Sequence, residues 1–312
     1  MPPRLRLSPL TPVGTDTIGV LRAIALRNNA ITTEPLPIEQ LAASDDNVVL
    51  RFGTVVVKAY ASTHLNIDGI AKVMRDARDF APEVLFADTT SAQWPGVIAT
   101  RFVPGRNWGR LIASGHIDFR LFAKAGQFLD RIHGRANTSP ITAQMRRTQH
   151  RVSLPDIPGE DKRIQQVARD AHARLVNDAD VIQLHGAFTP NNIILTGAGT
   201  FVATGWRQLA GPAIIDVARF LGDALVAMLT APHTEDWYVD AGRCFLAGYG
   251  HVDIDWLRAL IGHQLLTMDC PAAQRNVLHT AGRELILSDR LLPWEHIEHS
   301  NSSRQPGDDT SP

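Results

Sequence analysis

Hydrophobic and polar positions along the chain follow two different periods, one after the other. Over residues 38–103 the apolar residues come in short β-branched runs. Val48–Leu50 and Val55–Val57 flank a tight turn at Phe52-Gly53 and predict a hairpin, with strands before it at Ile38–Ala42 and after it at Glu83–Ala87 and Gly96–Val103. Within this region Asn66–Phe80 sets Ile70, Val73, Met74 and Ala77 at helical spacing and predicts one main helix. Beyond Val103-Pro104-Gly105 the period becomes helical. Asp118–His133 gathers Leu121, Phe122, Ala125, Phe128, Leu129 and Ile132 on one stripe and leaves Arg120, Lys124 and Asp130 outside it. A second helix is expected over Asp161–Asn177, and almost everything after Asp216 reads as helix. One stretch interrupts the helical half: Val181–Leu195, VIQLHGAFTPNNIIL, is a short apolar strand, a polar loop closed by Pro190 and paired asparagines, and a second apolar strand.

The order predicts an α+β chain of two lobes. A flexible N-terminus (1–16) leads into a small antiparallel β lobe with one main helix (17–105). A large, mainly helical C-terminal lobe (106–299) holds the strand-loop-strand insert at 181–195, and 300–312, SNSSRQPGDDTSP, has the composition of a disordered tail. The polar connector Thr138–Pro158 carries a basic cluster, Arg146, Arg147 and Arg151, read as solvated.

Composition narrows the function classes. With 44% apolar residues the chain can bury a substantial core, and a net charge of −1 gives no electrostatic footprint for nucleic acid or an anionic membrane surface. No run approaches the roughly 20 apolar residues of a membrane-spanning helix. Cys244 and Cys270 sit in apolar-patterned stretches without metal-ligand spacing, and read as thiols in a reducing, cytoplasmic compartment.

Candidate chemistry begins with Lys58, which shares a strand with an apolar run and points to one face of the sheet; the helix after it carries Asp76 and Asp79. Lys58 and Asp76 are either an ion pair or two unrelated charges. A lysine strand, a following helix, a Pro-Gly turn and His185-Gly186 with Asn192 between two strands together resemble the aminoglycoside phosphotransferase and choline kinase-like family, a branch of the protein-kinase-like fold. The resemblance covers roughly Ile38–Ser288.

It implies ATP and Mg²⁺ as cofactors, with Lys58, Asp76 and Asn192 at the nucleotide and Asn192 a metal ligand. In the family's HGDxxxxN loop the aspartate receives the proton of the acceptor hydroxyl; here that position is Ala187. The principal metal aspartate of the family's Ile-Asp-Trp signature corresponds to Gly205 in Thr204-Gly205-Trp206. Asp216 matches a structural aspartate that braces the loop, a role compatible with capping a helix. His185 matches a residue that supports the loop and reads as a hydrogen-bonded structural histidine. The family's acceptor pocket is built by C-terminal helices, where Trp237, Tyr238, Tyr249, Trp256 and Trp294 either line it or form core.

From Val181 through Ile215 there is no Asp or Glu. A positioned base contributes about 10²–10⁴ in rate, and a metal clamp several kcal/mol more. Asn192 and Asn191 offer Mg²⁺ only neutral oxygens, and the turn Ser44-Asp45-Asp46-Asn47 sets carboxylates where a phosphate-covering loop usually has glycine. The reading from sequence is therefore a kinase-fold protein that has lost phosphotransfer and binds a small molecule or protein partner in the cleft between its lobes. The alternative is a working ATP-dependent phosphotransferase acting on a hydroxyl of an aminoglycoside, sugar or amino alcohol, with a carboxylate brought in from Asp178, Asp180 or Asp45.

Overall fold

The computed structural model describes residues 13–43, 47–137, 162–178, 180–230, 235–268, 270 and 272–287. The Ser44–Asp46 part of the expected phosphate turn, the connector with Arg146, Arg147 and Arg151, Trp294 and the C-terminal tail lie outside the described residues, as do the side chains of Asp178 and Tyr238.

The chain divides into two compact units. One comprises Met1–His116, Arg131–Val152 and Val181–Gly211; the other comprises Ile117–Asp130, Ser153–Asp180 and Pro212–Pro312. The strand-loop-strand insert thus groups with the N-terminal sheet, where a cut at residue 105 had set it among the helices.

The first unit opens with α1 (Thr15–Arg27), a helix the sequence reading did not include and which starts inside the stretch expected to be flexible. A five-stranded antiparallel sheet follows, formed by β1 (Ile38–Ala43), β2 (Asn47–Phe52), β3 (Val55–Tyr60), β4 (Val84–Asp88) and β5 (Gly96–Arg101) in the order β1-β2-β3-β5-β4. The β2–β3 turn pairs Phe52 with Val55, so Gly53 and Thr54 form its tip, with Gly53 at φ 59°. Alternation along β3 separates two faces: Val55, Val57 and Ala59 are buried, and Val56, Lys58 and Tyr60 are half-buried. The buried face packs with Leu21, Ile24 and Ala25 of α1, together with Leu50, Phe52, Val97 and Ala99, into one core. Helix α2 (Ile67–Asp76) is capped by the Asn66 side chain, which accepts from the Gly69 N–H, and buries Ile67, Ile70, Val73 and Met74. Asp88, nearly buried at the end of β4, accepts from Arg27 and Asn28 at the α1 terminus and from the amide and hydroxyl of Thr90.

Next come β6 (Gly105–Asn107) and α3 (Trp108–Ala113), and then α4 (Phe119–Asn137), which starts in the second unit. In the insert, β7 (Ile182–Leu184) is followed by a short 3-10 turn (Pro190–Asn192) and β8 (Ile193–Thr196), with β9 (Phe201–Ala203) and β10 (Leu209–Gly211) beyond. The two strands of the insert do not pair with each other. β7 pairs with β10, and β8 lies between β6 and β9.

The second unit is helical: the first turns of α4, then α5 (Lys162–Asp178), α6 (Ile214–Thr230), α7 (Glu235–Tyr249), α8 (Ile254–Thr267) and α9 (Ala272–Leu287). Helix α8 buries Leu257, Leu260, Ile261, His263, Leu265 and Leu266, which explains why it is apolar on most sides. A ring stack of Phe220 on Phe245, with centroids 4.1 Å apart, anchors α6 to α7, and Phe122 meets Phe220 edge-on at 6.3 Å. Where α4 passes α7, Gly126 and Gly248 allow backbone contact: a Cβ on Gly126 would lie 2.1 Å from the Phe245 carbonyl, and one on Gly248 would lie 2.0 Å from that of Ala123. Among the described residues no helix is long and apolar enough to cross a membrane.

Candidate functional site

The half-buried face of β3 borders a cavity of about 420 Å³ that lies wholly within the first unit. Its sheet wall is Val49 of β2, Val56, Lys58 and Tyr60 of β3, and Ile98 and Thr100 of β5. Met74 of α2 closes one side, Phe102 and Val103 follow from β5, and Asn191, Asn192, Ile194 and Thr204–Trp206 come from the insert and the strand after it. Lys58 sits mid-strand, paired across to Val49 and Ile98.

Its ammonium lies over the Tyr60 ring, 4.8 Å from the centroid. No ion pair joins it to Asp76 among the described residues; the α2 residue that reaches the cavity is Met74, two positions earlier in the helix. Burial holds the Lys58 pKa below the ordinary lysine value, and the nearby Arg207 guanidinium adds to the shift. Burial likewise pushes Tyr60 up to about 12 even though Arg207 opposes it. The charged groups lining the cavity are Lys58 and Arg101, the latter bridged to Glu83 at 3.2 Å; no carboxylate lines it among the described residues.

The loop holds its shape with few side chains. His185 is fully buried, its ring against Trp206 at 4.6 Å and edge-on to Phe188 at 5.6 Å, and its Nδ1 accepts from the Ala187 N–H at 3.2 Å. The Asn192 amide donates to the Ala187 carbonyl at 2.8 Å, and the Asn192 carbonyl accepts from the Thr204 amide at 2.7 Å. Arg207 donates its amide to the His185 carbonyl, and buried Gln183 donates to the Arg207 carbonyl. The loop's cross-links therefore include backbone atoms and the side chains of Gln183, His185 and Asn192, and the methyl of Ala187 takes no part in them.

The backbone at Gly205 limits which residues fit there. Its φ is 77°, in the left-handed region that L-residues rarely adopt, and a Cβ there would lie 2.9 Å from both Cγ and Oδ1 of Asn192. The Asn192 side chain occupies the space into which a residue-205 side chain would project.

These residues fit Mg²⁺ poorly. Asn192 donates its side-chain N–H to the Ala187 carbonyl, which leaves one neutral oxygen, the Thr204 hydroxyl donates to the Asn192 carbonyl, and the charged groups lining the cavity among the described residues, Lys58 and Arg101, are positive. Among the described residues no cluster of His, Cys, Asp and Glu could hold a metal ion. Of the residues expected from sequence, Lys58, Asn192 and Gly205 come together at the cavity, while Ala187, His185 and Asp76, the last residue of α2, do not line it. Asp180 is exposed and does not line it either.

Asp216 belongs to the second unit, fully buried in the first turn of α6; burial raises the pKa of Tyr249, and the charges of Asp216 and Asp130 add to the shift. Trp237 packs against Phe122 at 6.2 Å, and Trp256 is half-buried. Sequence reasoning missed Arg207, Tyr60 and Arg101. The available signal was the strand alternation that puts Tyr60 beside Lys58, and the presence of an arginine in a 35-residue stretch without acids, Val181–Ile215.

No protein-family model matches the chain, and no curated protein sequence does. Solved structures do. A choline/ethanolamine kinase family protein from Mesorhizobium loti aligns over 86% of this chain and 95% of its own at 16% identity, TM-score 0.58. The choline kinase LicA from Streptococcus pneumoniae aligns over 86% and 99% at 14% identity, TM-score 0.57. The aminoglycoside phosphotransferase APH(3'')-Id from Streptomyces rimosus, in complex with ADP and streptomycin, aligns over 82% and 100% at 18% identity, TM-score 0.55. The antiparallel sheet, the helical unit and these alignments together establish that the chain has the protein-kinase-like fold shared by choline kinase-like proteins and aminoglycoside phosphotransferases.

Proposed function

We propose that this protein binds a small molecule in the cavity beside Lys58 and does not transfer phosphate. The geometry around Asn192 supports the reading: Gly205, which the resemblance aligns with the metal aspartate, lies in a left-handed backbone with Asn192 packed against it, and Ala187, which it aligns with the base, offers only a methyl. Phosphoryl transfer depends on neutralised phosphates, an in-line acceptor and a proton acceptor. With a methyl at 187 and no carboxylate at 205, these two positions supply neither the proton acceptor nor a carboxylate ligand for a metal. The cavity volume, about 420 Å³, is within the range of small-molecule sites.

ATP titrated with and without Mg²⁺ and followed by thermal melting tests the reading. No Mg²⁺-dependent stabilisation is expected. An upward shift that requires Mg²⁺ and vanishes in Lys58→Ala would overturn it.

Lys58 and Asn192 lining one cavity favour a second reading, an ATP-dependent phosphotransferase acting on a hydroxyl of a small molecule, as the kinases with this fold are named for. It requires a carboxylate from outside the cavity wall. Screening aminoglycosides, sugars and amino alcohols for ADP release decides between the two, with Asn192→Ala as the control that must abolish any true signal.

A further inference from the structure

The chain has four lysines, and one of them is unlike the rest. Lys72, Lys124 and Lys162 are exposed on helices, whereas Lys58 is half-buried in mid-strand between Val49 and Ile98 of the neighbouring strands. The cavity beside it is walled by Val56, Met74, Phe102 and Trp206, and no carboxylate lines it among the described residues. An ammonium placed there loses hydration without gaining a counter-ion. The Tyr60 ring, 4.8 Å away, attracts it less strongly than a carboxylate would, and the other cation on the wall, Arg101, is already paired with Glu83. Burial accordingly holds the amine's pKa below the ordinary lysine value. A lysine that sheds its proton carries a free electron pair, and an apolar pocket is the setting in which lysines attack carbonyl carbon.

We propose that Lys58 is a covalent capture site for a small apolar aldehyde, whose carbonyl condenses with Nζ to a reversible imine while its body packs on the apolar wall. The inference rests on the small-molecule reading above and names its ligand class. The step is a condensation without redox change. The Nζ electron pair attacks the carbonyl carbon, and the carbonyl π pair moves to oxygen, giving a carbinolamine. Both amine protons then leave with that oxygen as water as the C=N bond forms, so no oxidant, reductant or metal is required. An aldehyde suits this wall because it is uncharged and brings no group that calls for a carboxylate partner.

The test treats the full chain at neutral pH with benzaldehyde or acetaldehyde, each with sodium cyanoborohydride to reduce the imine to a stable amine, and maps the labelled lysines by peptide mass spectrometry. With benzaldehyde, Lys58 is expected to carry at least about ten times the label of any other lysine. The excess should shrink with acetaldehyde, whose methyl covers little of the wall; the three exposed lysines correct for the difference in reactivity between the two aldehydes. Benzyl alcohol, which has the ring and no carbonyl, should slow labelling at Lys58 and leave the other three unchanged. Lys58→Arg should lose the cavity label alone, with circular dichroism confirming its fold, and the benzyl alcohol competition decides the matter in the unaltered protein if that variant does not fold. Label spread evenly over the four lysines, an excess at Lys58 equal for the two aldehydes, or labelling there indifferent to benzyl alcohol overturns the inference. Mg²⁺-dependent ADP release from ATP that disappears in Asn192→Ala would instead overturn the non-transfer reading, and that outcome is separable because it is read from turnover with no aldehyde present.

Discussion

Replacing Gly205 with alanine measures directly how the space beside Asn192 is used. The perturbation has two parts. The backbone at φ 77° disfavours any L-residue, at a cost of roughly 1–2 kcal/mol. The new Cβ, 2.9 Å from Cγ and Oδ1 of Asn192, also forces that side chain away and breaks its 2.8 Å bond to the Ala187 carbonyl, worth about 0.5–1.5 kcal/mol. Together these predict a loss of roughly 2–3 kcal/mol and a fall in melting temperature of roughly 5–10 °C. The two parts separate in a double-mutant cycle followed by urea unfolding. In an Asn192→Ala background the clash has no partner and the hydrogen bond is already gone, so Gly205→Ala should cost only the backbone part, leaving a coupling of about 1 kcal/mol. Equal costs in both backgrounds would refute the packing argument, and a neutral Gly205→Ala would refute the conformational one as well.

Three further outcomes are expected. Burial alone would raise the pKa of Asp88, but the hydrogen bonds from Thr90, Arg27 and Asn28 bring it from 3.8 to about 2, a stabilisation of about 2 kcal/mol that is fully present above pH 4 and lost as pH falls through about 2. Asp88→Asn should therefore destabilise at neutral pH, with the urea midpoints of variant and parent converging over that acid window. Gly126→Ala, which in an exposed helix would stabilise by roughly 1 kcal/mol, should here destabilise by about 1–3 kcal/mol, because its Cβ would meet the Phe245 carbonyl; calorimetry gives the sign. Ala187→Asp should melt closer to the parent than Gly205→Asp does, and the double variant should gain no Mg²⁺-dependent shift with ATP while Asn192 keeps its present position.

Much of this architecture is written in local patterns, and what is missing from them is non-local. The alternation through Val55–Tyr60 places Lys58 on the cavity face without reference to anything else, because a strand's side-chain period is set by its own backbone. The helix after it was also legible as a helix, but not its rotation: each residue turns the face by about 100°, and packing on β4 and β5 brings Met74, not Asp76, to the wall. The partners of β7 and β8 could not be read from the insert, since they are contributed by strands before and after it. Helix α1 did leave a signal, with Leu21, Ile24 and Ala25 at helical spacing, but it follows a Pro-rich opening and starts at Gly14 without a side-chain cap, so its boundary was unmarked. Gly205 shows the limit most clearly. In sequence it is an absence, and in three dimensions it is a backbone conformation with a neighbour filling the gap.

The loop therefore treats positions 187 and 205 unequally. Position 187 contributes backbone groups to the loop and its side chain to no bond, so an acid there is one substitution away and the loop would keep its shape. Position 205 is different, because its backbone lies in the left-handed region and Asn192 fills the space beside it. Placing an aspartate there requires a change of backbone and a displaced neighbour at once. A lineage drifting through these two positions would meet a ratchet: one step runs freely in both directions, and the other, once taken, tends to hold.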